Sequence, residues 1–153
     1  ARGFLLLAPQ SLYPTWDLVI VGNGPDRERL DQALAEVADR FLINPRHLAF
    51  AGHSDGGSYA LSLGLTNGDR VSHLIVSSAG FMSVQVQVGA PKIFLSHGTR
   101  DEQIGIDRSA RTHARLLKGA GYDLTYVEYD GPHAYNPDVV AQAVDFFLGD
   151  FFA

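Results

Sequence analysis

Three residues of this chain have the types needed to build an activated nucleophile: Ser54, Asp101 and His133. A serine hydroxyl attacks poorly at its ordinary pKa. It needs a base to take its proton, and the base needs an acceptor to fix its tautomer. Ser54 lies in Gly52-His53-Ser54-Asp55-Gly56, a G-x-S-x-G pentapeptide. The spacing has a steric reason. A serine that leaves a strand and enters a helix within one residue sits in a sharp, strained turn, where neighbouring side chains collide, so glycine is needed two residues to either side. Such a turn holds the hydroxyl clear of the sheet edge. The N-terminus of the following helix favours negative charge there. The N–H of Asp55, next after the serine, can donate to an oxyanion.

The pentapeptide alone is weak evidence in a chain with 16 glycines. Its context strengthens it: HLAFA reads as a strand before it, and a small-residue helix follows. The acid and base slots are also filled. The apolar run KIFLS leads into His97-Gly98-Thr99-Arg100-Asp101, and LTYVEY leads into Asp130-Gly131-Pro132-His133. Both residues lie beyond the carboxyl end of a strand, where open α/β sheets place their sites. Glu102 and Asp107 are rival acids. Asp107 reads as a helix start, and Glu102 points away if Asp101 points in.

The other histidines read differently. His53 flanks the serine and either lines a pocket or packs. His97 and Asp101 have the i, i+4 spacing of a metal pair, but no third ligand stands nearby, so no metal is expected. His47, His73 and His113 read as structural or solvated. Trp16, Tyr13, Phe81 and Met82 are apolar candidates for an acyl pocket, with core or loop packing as the other reading.

Strands and helices must position these groups. Gly3 to Ala8 is a continuous apolar run closed by Pro9 and reads as a buried strand. Leu18 to Val21 reads as a further short strand. Leu30, Leu34, Val37 and Phe41 recur along one helical stripe. Strands follow at His47 to Ala51, Leu74 to Ser77, Lys92 to Ser96 and Leu124 to Tyr129. Helices are expected over Tyr59 to Leu65 and Asp107 to Lys118. A last one starts at Asn136-Pro137, an N-cap with proline at the first helical position, and carries an apolar stripe of Val140, Val144, Phe147, Leu148 and Phe151. Strands alternating with helices predict an α/β domain over residues 1–153, with a mostly parallel sheet of about five strands flanked by helices.

Composition closes off several classes. The net charge is −5, so there is no basic footprint for nucleic acid. The arginines between Arg100 and Arg115 are interleaved with acids and read as a solvated face. There is no cysteine, which excludes disulfides, cysteine-based zinc sites and a cysteine nucleophile. No apolar run is long enough to span a membrane. The apolar stretch at the start is too short for a signal peptide, and a cytoplasmic location is expected.

With these residues in place, the chain resembles the bacterial phospholipase/carboxylesterase family of α/β-hydrolases, relatives of the acyl-protein thioesterases. GFLLLAPQS with Trp16 is similar to that family's fourth-strand region. GHSDGGSYAL is similar to its nucleophile turn and helix, HGTRDEQIGID to its acid loop, and GPH before the last helix to its histidine loop. The resemblance implies hydrolysis of carboxylic esters of short or medium chain without a cofactor, with Ser54, Asp101 and His133 as the triad. A thioesterase, a dienelactone-type hydrolase and a catalytically silent scaffold are the other readings. The dienelactone-type enzymes usually employ a cysteine, which is lacking here.

The family also has earlier strands and a His-Gly loop that supplies a second oxyanion donor, and no such segment is present in this sequence. Three explanations are open: a piece of a longer protein, strands donated by a partner, or direct pairing of the first strand with HLAFA. An open apolar sheet edge invites association. Self-association or binding of a complementing N-terminal segment is therefore expected. A clean monomer by light scattering at micromolar concentration counts against it.

Overall fold

The computed structural model describes residues 3–20 and 24–149. The chain divides into two compact units, residues 1–43 and 44–153.

In the first unit, two helices are formed: α1 over Asp17–Ile20 and α2 over Pro25–Arg40. Leu18 to Val21 is thus not a strand; Leu18 to Ile20 lie in α1, and Val21 lies outside the described residues. An apolar run of four carries no period that separates strand from helix, and a tertiary pairing decides the matter. The Asp26 N–H donates to Asp17 Oδ2 at 2.7 Å, and the Asp17 N–H donates to Asp26 Oδ2 at 2.9 Å. The Leu12 N–H adds a third bond, 2.8 Å to Asp26 Oδ1. These reciprocal bonds tie the N-terminal turns of the two helices together, with both carboxylates buried. Proline occupies the first turn of α2, where its missing N–H costs nothing. Leu30, Leu34 and Val37 are half-buried along its stripe, whereas Phe41 follows the helix and is exposed.

Gly3 to Ala8 forms no strand, and every one of these residues is exposed. This corrects the buried-strand expectation. An apolar run becomes a strand only when a neighbouring backbone supplies its ladder, and among the described residues none does.

The second unit is a four-stranded, wholly parallel sheet in the order β1-β2-β3-β4. The strands are β1 (Ala49–His53), β2 (His73–Ser77), β3 (Lys92–Gly98) and β4 (Leu124–Tyr129). The helices are α3 (Asp55–Thr66), α4 (Ala110–Gly119) and α5 (Pro137–Gly149). The expected α/β class stands, with four strands in place of about five because Gly3 to Ala8 does not join.

Side chains alternate across this sheet with the period of two that strands impose. Leu74, Val76, Ile93 and Leu95 pack with Leu61 and Leu65 of α3 and with Ala110, Ala114 and Leu117 of α4. Phe94 and its neighbours Ile75 and Val127 face Val139, Ala143 and Phe146 of α5 instead. Both faces of the sheet are therefore covered, which is why LIV and IFL read as unbroken apolar runs.

Helix α5 starts where the sequence indicates: Asn136 Oδ1 accepts the N–H of Asp138 at 3.0 Å and of Val139 at 3.2 Å. Its buried face is Val139, Ala143 and Leu148, while Val140 is exposed. The expected stripe was thus displaced by one position at its start, since small Ala143 contributes little apolar weight yet permits close approach to the sheet. Phe151 lies outside the described residues. Helix α4 begins at Ala110, so Asp107 precedes it in a turn and pairs with Arg111 at 2.8 Å.

Candidate active site

Ser54 links the end of β1 to the start of α3 with φ 56° and ψ −120°. A positive φ in a residue with a Cβ costs on the order of 1–3 kcal/mol and persists only where the surroundings enforce it. Here they do. The Ser54 N–H donates to Ser77 O of β2 at 2.9 Å, and Ser54 O accepts the Ser58 N–H at 2.9 Å, closing the first turn of α3. A Cβ on Gly52 would lie 2.1 Å from Gly56 O, so β1 and the first turn of α3 approach backbone to backbone. Gly57 carries a second constraint: a Cβ there would stand 2.8 Å from Ser77 O. The sequence reading placed the steric need at Gly52 and Gly56 and did not reach Gly57.

Ser58 is a further residue that the sequence reading missed. Its buried hydroxyl donates to Ser54 O at 3.2 Å and accepts the Gly80 N–H at 2.9 Å and the Phe81 N–H at 3.3 Å. It pins the loop after β2 to the serine turn. Its only sequence signal is a place four residues after Ser54, one helical turn along.

Asp101 and His133 arrive on two loops that are fastened together. The Thr99 N–H donates to Tyr129 O at 2.8 Å and the Arg100 N–H to Gly131 O at 2.9 Å. The Arg100 guanidinium pairs with Asp130 across the same seam. A Cβ on Gly98 would fall 2.4 Å from Gly131 O and 2.6 Å from Pro132 O. Glycine at 98 therefore lets the histidine loop pass directly over the end of β3.

The three side chains meet. His133 Nδ1 is 2.6 Å from Asp101 Oδ2, and His133 Nε2 is 2.8 Å from Ser54 Oγ. A carboxylate only accepts, so the proton lies on Nδ1. Nε2 then presents its lone pair to the Ser54 hydroxyl, which donates. The Asp101 side chain is fully enclosed and that of His133 is 9% exposed. Burial would raise the Asp101 carboxyl, but the Ile104 N–H, the His133 ring and the Gln103 N–H outweigh it and hold it below the ordinary carboxylate range. The two backbone donors stand 2.8 and 3.0 Å from Oδ1.

The other candidates fall as follows. Asp55 opens α3 with its side chain exposed, and its backbone lies in the first turn beside Ser54. His53 bonds through Nδ1 to Ser77 Oγ at 3.1 Å. Its ring lies between His133, at a centroid distance of 4.7 Å, and the exposed Tyr135, at 4.5 Å. Burial first, then the neighbouring His133, lowers the pKa of His53. Met82 packs against the α3–α4 side of the core, and Phe81 is half-buried in the loop after β2. Trp16 belongs to the first unit, where it is half-buried, and Tyr13 is exposed there. Glu102 is exposed. His73 and His113 are buried, and His47 stacks on Phe147. No group of three or more metal-ligating side chains stands together among the described residues, and no described helix is long and apolar enough to cross a membrane.

Solved structures share this arrangement of strands and helices. Esterase PE8 superposes with a TM-score of 0.70 at 22% identity over 81% of this chain and 60% of its own. The fold is part of that of the α/β-hydrolases. SOBER1 of Arabidopsis thaliana gives a TM-score of 0.66 at 21% identity, covering 82% of this chain and 60% of its own. The S-formylglutathione hydrolase FrmB of Staphylococcus aureus gives 0.67 at 16% identity, covering 80% and 60%. This chain thus spans about three fifths of the length of these α/β-hydrolase-fold structures. No protein-family model matches the chain, and no curated protein matches it in sequence.

Proposed function

We propose that this chain carries the reactive centre of a serine hydrolase that cleaves carboxylic esters of short or medium chain. The observation that carries the proposal is the continuous relay from Asp101 Oδ2 through His133 to Ser54 Oγ, at 2.6 and 2.8 Å. A serine held in a strained turn, with its hydroxyl on a lone pair of an oriented imidazole, is set for acyl transfer.

The reaction runs in two halves. His133 Nε2 takes the hydroxyl proton as Ser54 Oγ attacks the ester carbonyl carbon. Asp101 holds the imidazole in its tautomer and stabilises the imidazolium. The Asp55 N–H donates to the oxyanion. His133 then gives the proton to the departing alkoxide, and the alcohol leaves. Water enters, gives its proton to His133 and attacks the acyl carbon, and Ser54 is released with the proton returned to its oxygen. No cofactor takes part in this scheme. Loss of one oxyanion donor costs roughly 10²–10³ in rate.

The test is a fluorophosphonate probe on the 153-residue chain, with the labelled residue found by mass spectrometry. Labelling is expected at Ser54. A folded chain that resists the probe overturns the proposal in favour of a hydrolase-like scaffold. Competing p-nitrophenyl esters against acyl thioesters then assigns the substrate class. The likeness to an S-formylglutathione hydrolase is the reason to include thioesters.

A further inference from the structure

His53 and Ser77 are register partners on β1 and β2, so their side chains share one face of the sheet. The Ser77 hydroxyl meets His53 Nδ1 at 3.1 Å, and Ser77 O accepts the Ser54 N–H at 2.9 Å. One residue of β2 thus anchors both the serine turn and the ring beside it. That ring lies between two residues of the histidine loop. His133 stands at a centroid distance of 4.7 Å with an interplanar angle of 41°, and Tyr135 at 4.5 Å and 37°. Aromatic rings attract at these separations. The loop is held close by as well, since Tyr129 Oη donates to Ala134 O at 2.6 Å. The lowered pKa of His53, due first to burial and then to His133, favours an uncharged ring beside an imidazole that must gain a proton.

We propose that His53 is a positioning residue: its ring backs the imidazole of His133 and keeps it in place through the half of the reaction in which Ser54 cannot. This rests on the hydrolase reading above. In the resting chain His133 is fixed at both nitrogens, by Asp101 Oδ2 and by Ser54 Oγ. Acylation removes the second tie. The acylated Ser54 oxygen carries no proton, so it has nothing to donate to Nε2, and the bond to Asp101 remains. One bond leaves an imidazole free to swing about its side-chain torsions, and a displacement of ~1 Å in a reacting group costs roughly 10²-fold in rate. The His53 ring is a contact on His133 that acylation leaves untouched, because its anchor is Ser77 and not the Ser54 hydroxyl. Loss of that ring therefore falls mainly on the attack by water, when His133 must again act as the base.

The test separates the two halves. His53→Ala is expected to lower kcat for a p-nitrophenyl ester about tenfold while fluorophosphonate labelling of Ser54 stays within about threefold of the parent, so that acylated chain accumulates. His53→Phe, which keeps a ring face and gives up the Ser77 bond, is expected to stay within about threefold of the parent in both rates. Equal losses in the two rates overturn the role, and so does a His53→Phe chain as impaired as the alanine variant. A second readout needs no turnover. In a Ser54→Ala chain, where His133 has likewise lost its serine bond, carbon-13 relaxation at His133 Cε1 reports how ordered the ring is. Adding His53→Ala is expected to lower that order and adding His53→Phe to preserve it; unchanged order in the alanine variant overturns the role. Should alanine at 53 unfold the chain, Ser77→Ala loosens the same ring with its bulk in place, and parental order in that variant overturns the role instead. If the parent chain takes no label, the hydrolase reading fails by itself, and the relaxation measurement still decides whether His53 holds His133.

Discussion

Alanine at Ser54 or at His133 is expected to lower ester hydrolysis by about 10⁴–10⁶-fold, and the double variant is expected to be no worse than either single one. The non-additivity is the informative part. Ser54 Oγ and His133 Nε2 share one hydrogen bond across 79 residues of sequence, and in the proposed reaction neither acts without the other. Asp101→Asn tests the third member. An amide can present its NH₂ to His133 and drive the imidazole into the wrong tautomer, so a loss of about 10⁴-fold is expected with the fold retained. Steady-state kinetics with a chromogenic ester and circular dichroism on each variant check both halves. Multiplicative losses in the double variant would show that the two side chains do not act as one unit.

The same carboxylate sets a direction for acid. Its folded-state pKa lies below the ordinary value, chiefly because the Ile104 N–H and the His133 ring outweigh the burial that would raise it. The stability it contributes is therefore fully present above the pKa of the unfolded chain and is lost as pH falls through the folded value. In Asp101→Asn the acid unfolding curve should lose that component. Glu128, lowered to about 2 chiefly by its bonds with Arg111, should persist as a second, smaller component because its pair with Arg111 stays partly open to solvent.

The second large effect is expected at a residue without chemistry of its own. Gly52→Ala would put a Cβ 2.1 Å from Gly56 O and 2.6 Å from Gly57 N, which are backbone atoms that cannot step aside. Either the serine turn opens or β1 leaves its register with β2, in which Gly52 stands opposite Val76. Labelling at Ser54 should disappear, and stability should fall by about 3 kcal/mol or more, roughly 6–12 °C in Tm for a chain of this size. Gly105→Ala is the control, since a Cβ there meets nothing within 4 Å, and it should behave as the parent. Equal melting temperatures for the two variants would mean that the close approach at Gly52 does not constrain the turn.

Much of this molecule follows from local rules. The strand LTYVEY has the bounds that its apolar run and flanking glycines indicate. The start of α5 follows from Asn136-Pro137, because capping depends on residues within one turn. The order Ser54, Asp101, His133, each after a strand, is also a one-dimensional pattern. A parallel sheet turns it into proximity by placing successive carboxyl ends at one edge.

What only the tertiary structure decided lies in contacts between elements. Gly3 to Ala8 has the apolar content of a buried strand and yet stands exposed, because a strand is defined by a partner that its own residues do not encode. His97 showed the sequence spacing of a ligand pair. Only the tertiary structure shows its ring buried at the end of β3, with Nε2 donating to Ile104 O at 2.9 Å. Ser58, Gly57 and Gly98 matter through atoms of the loop after β2, of β2 and of the histidine loop, respectively. The sequence by itself therefore determined which groups could react and in what order they follow their strands, since strand ends and turns are local events. The distances between those groups, and the donors that hold them, were decided by packing between segments up to 79 residues apart, and no local rule spans that separation.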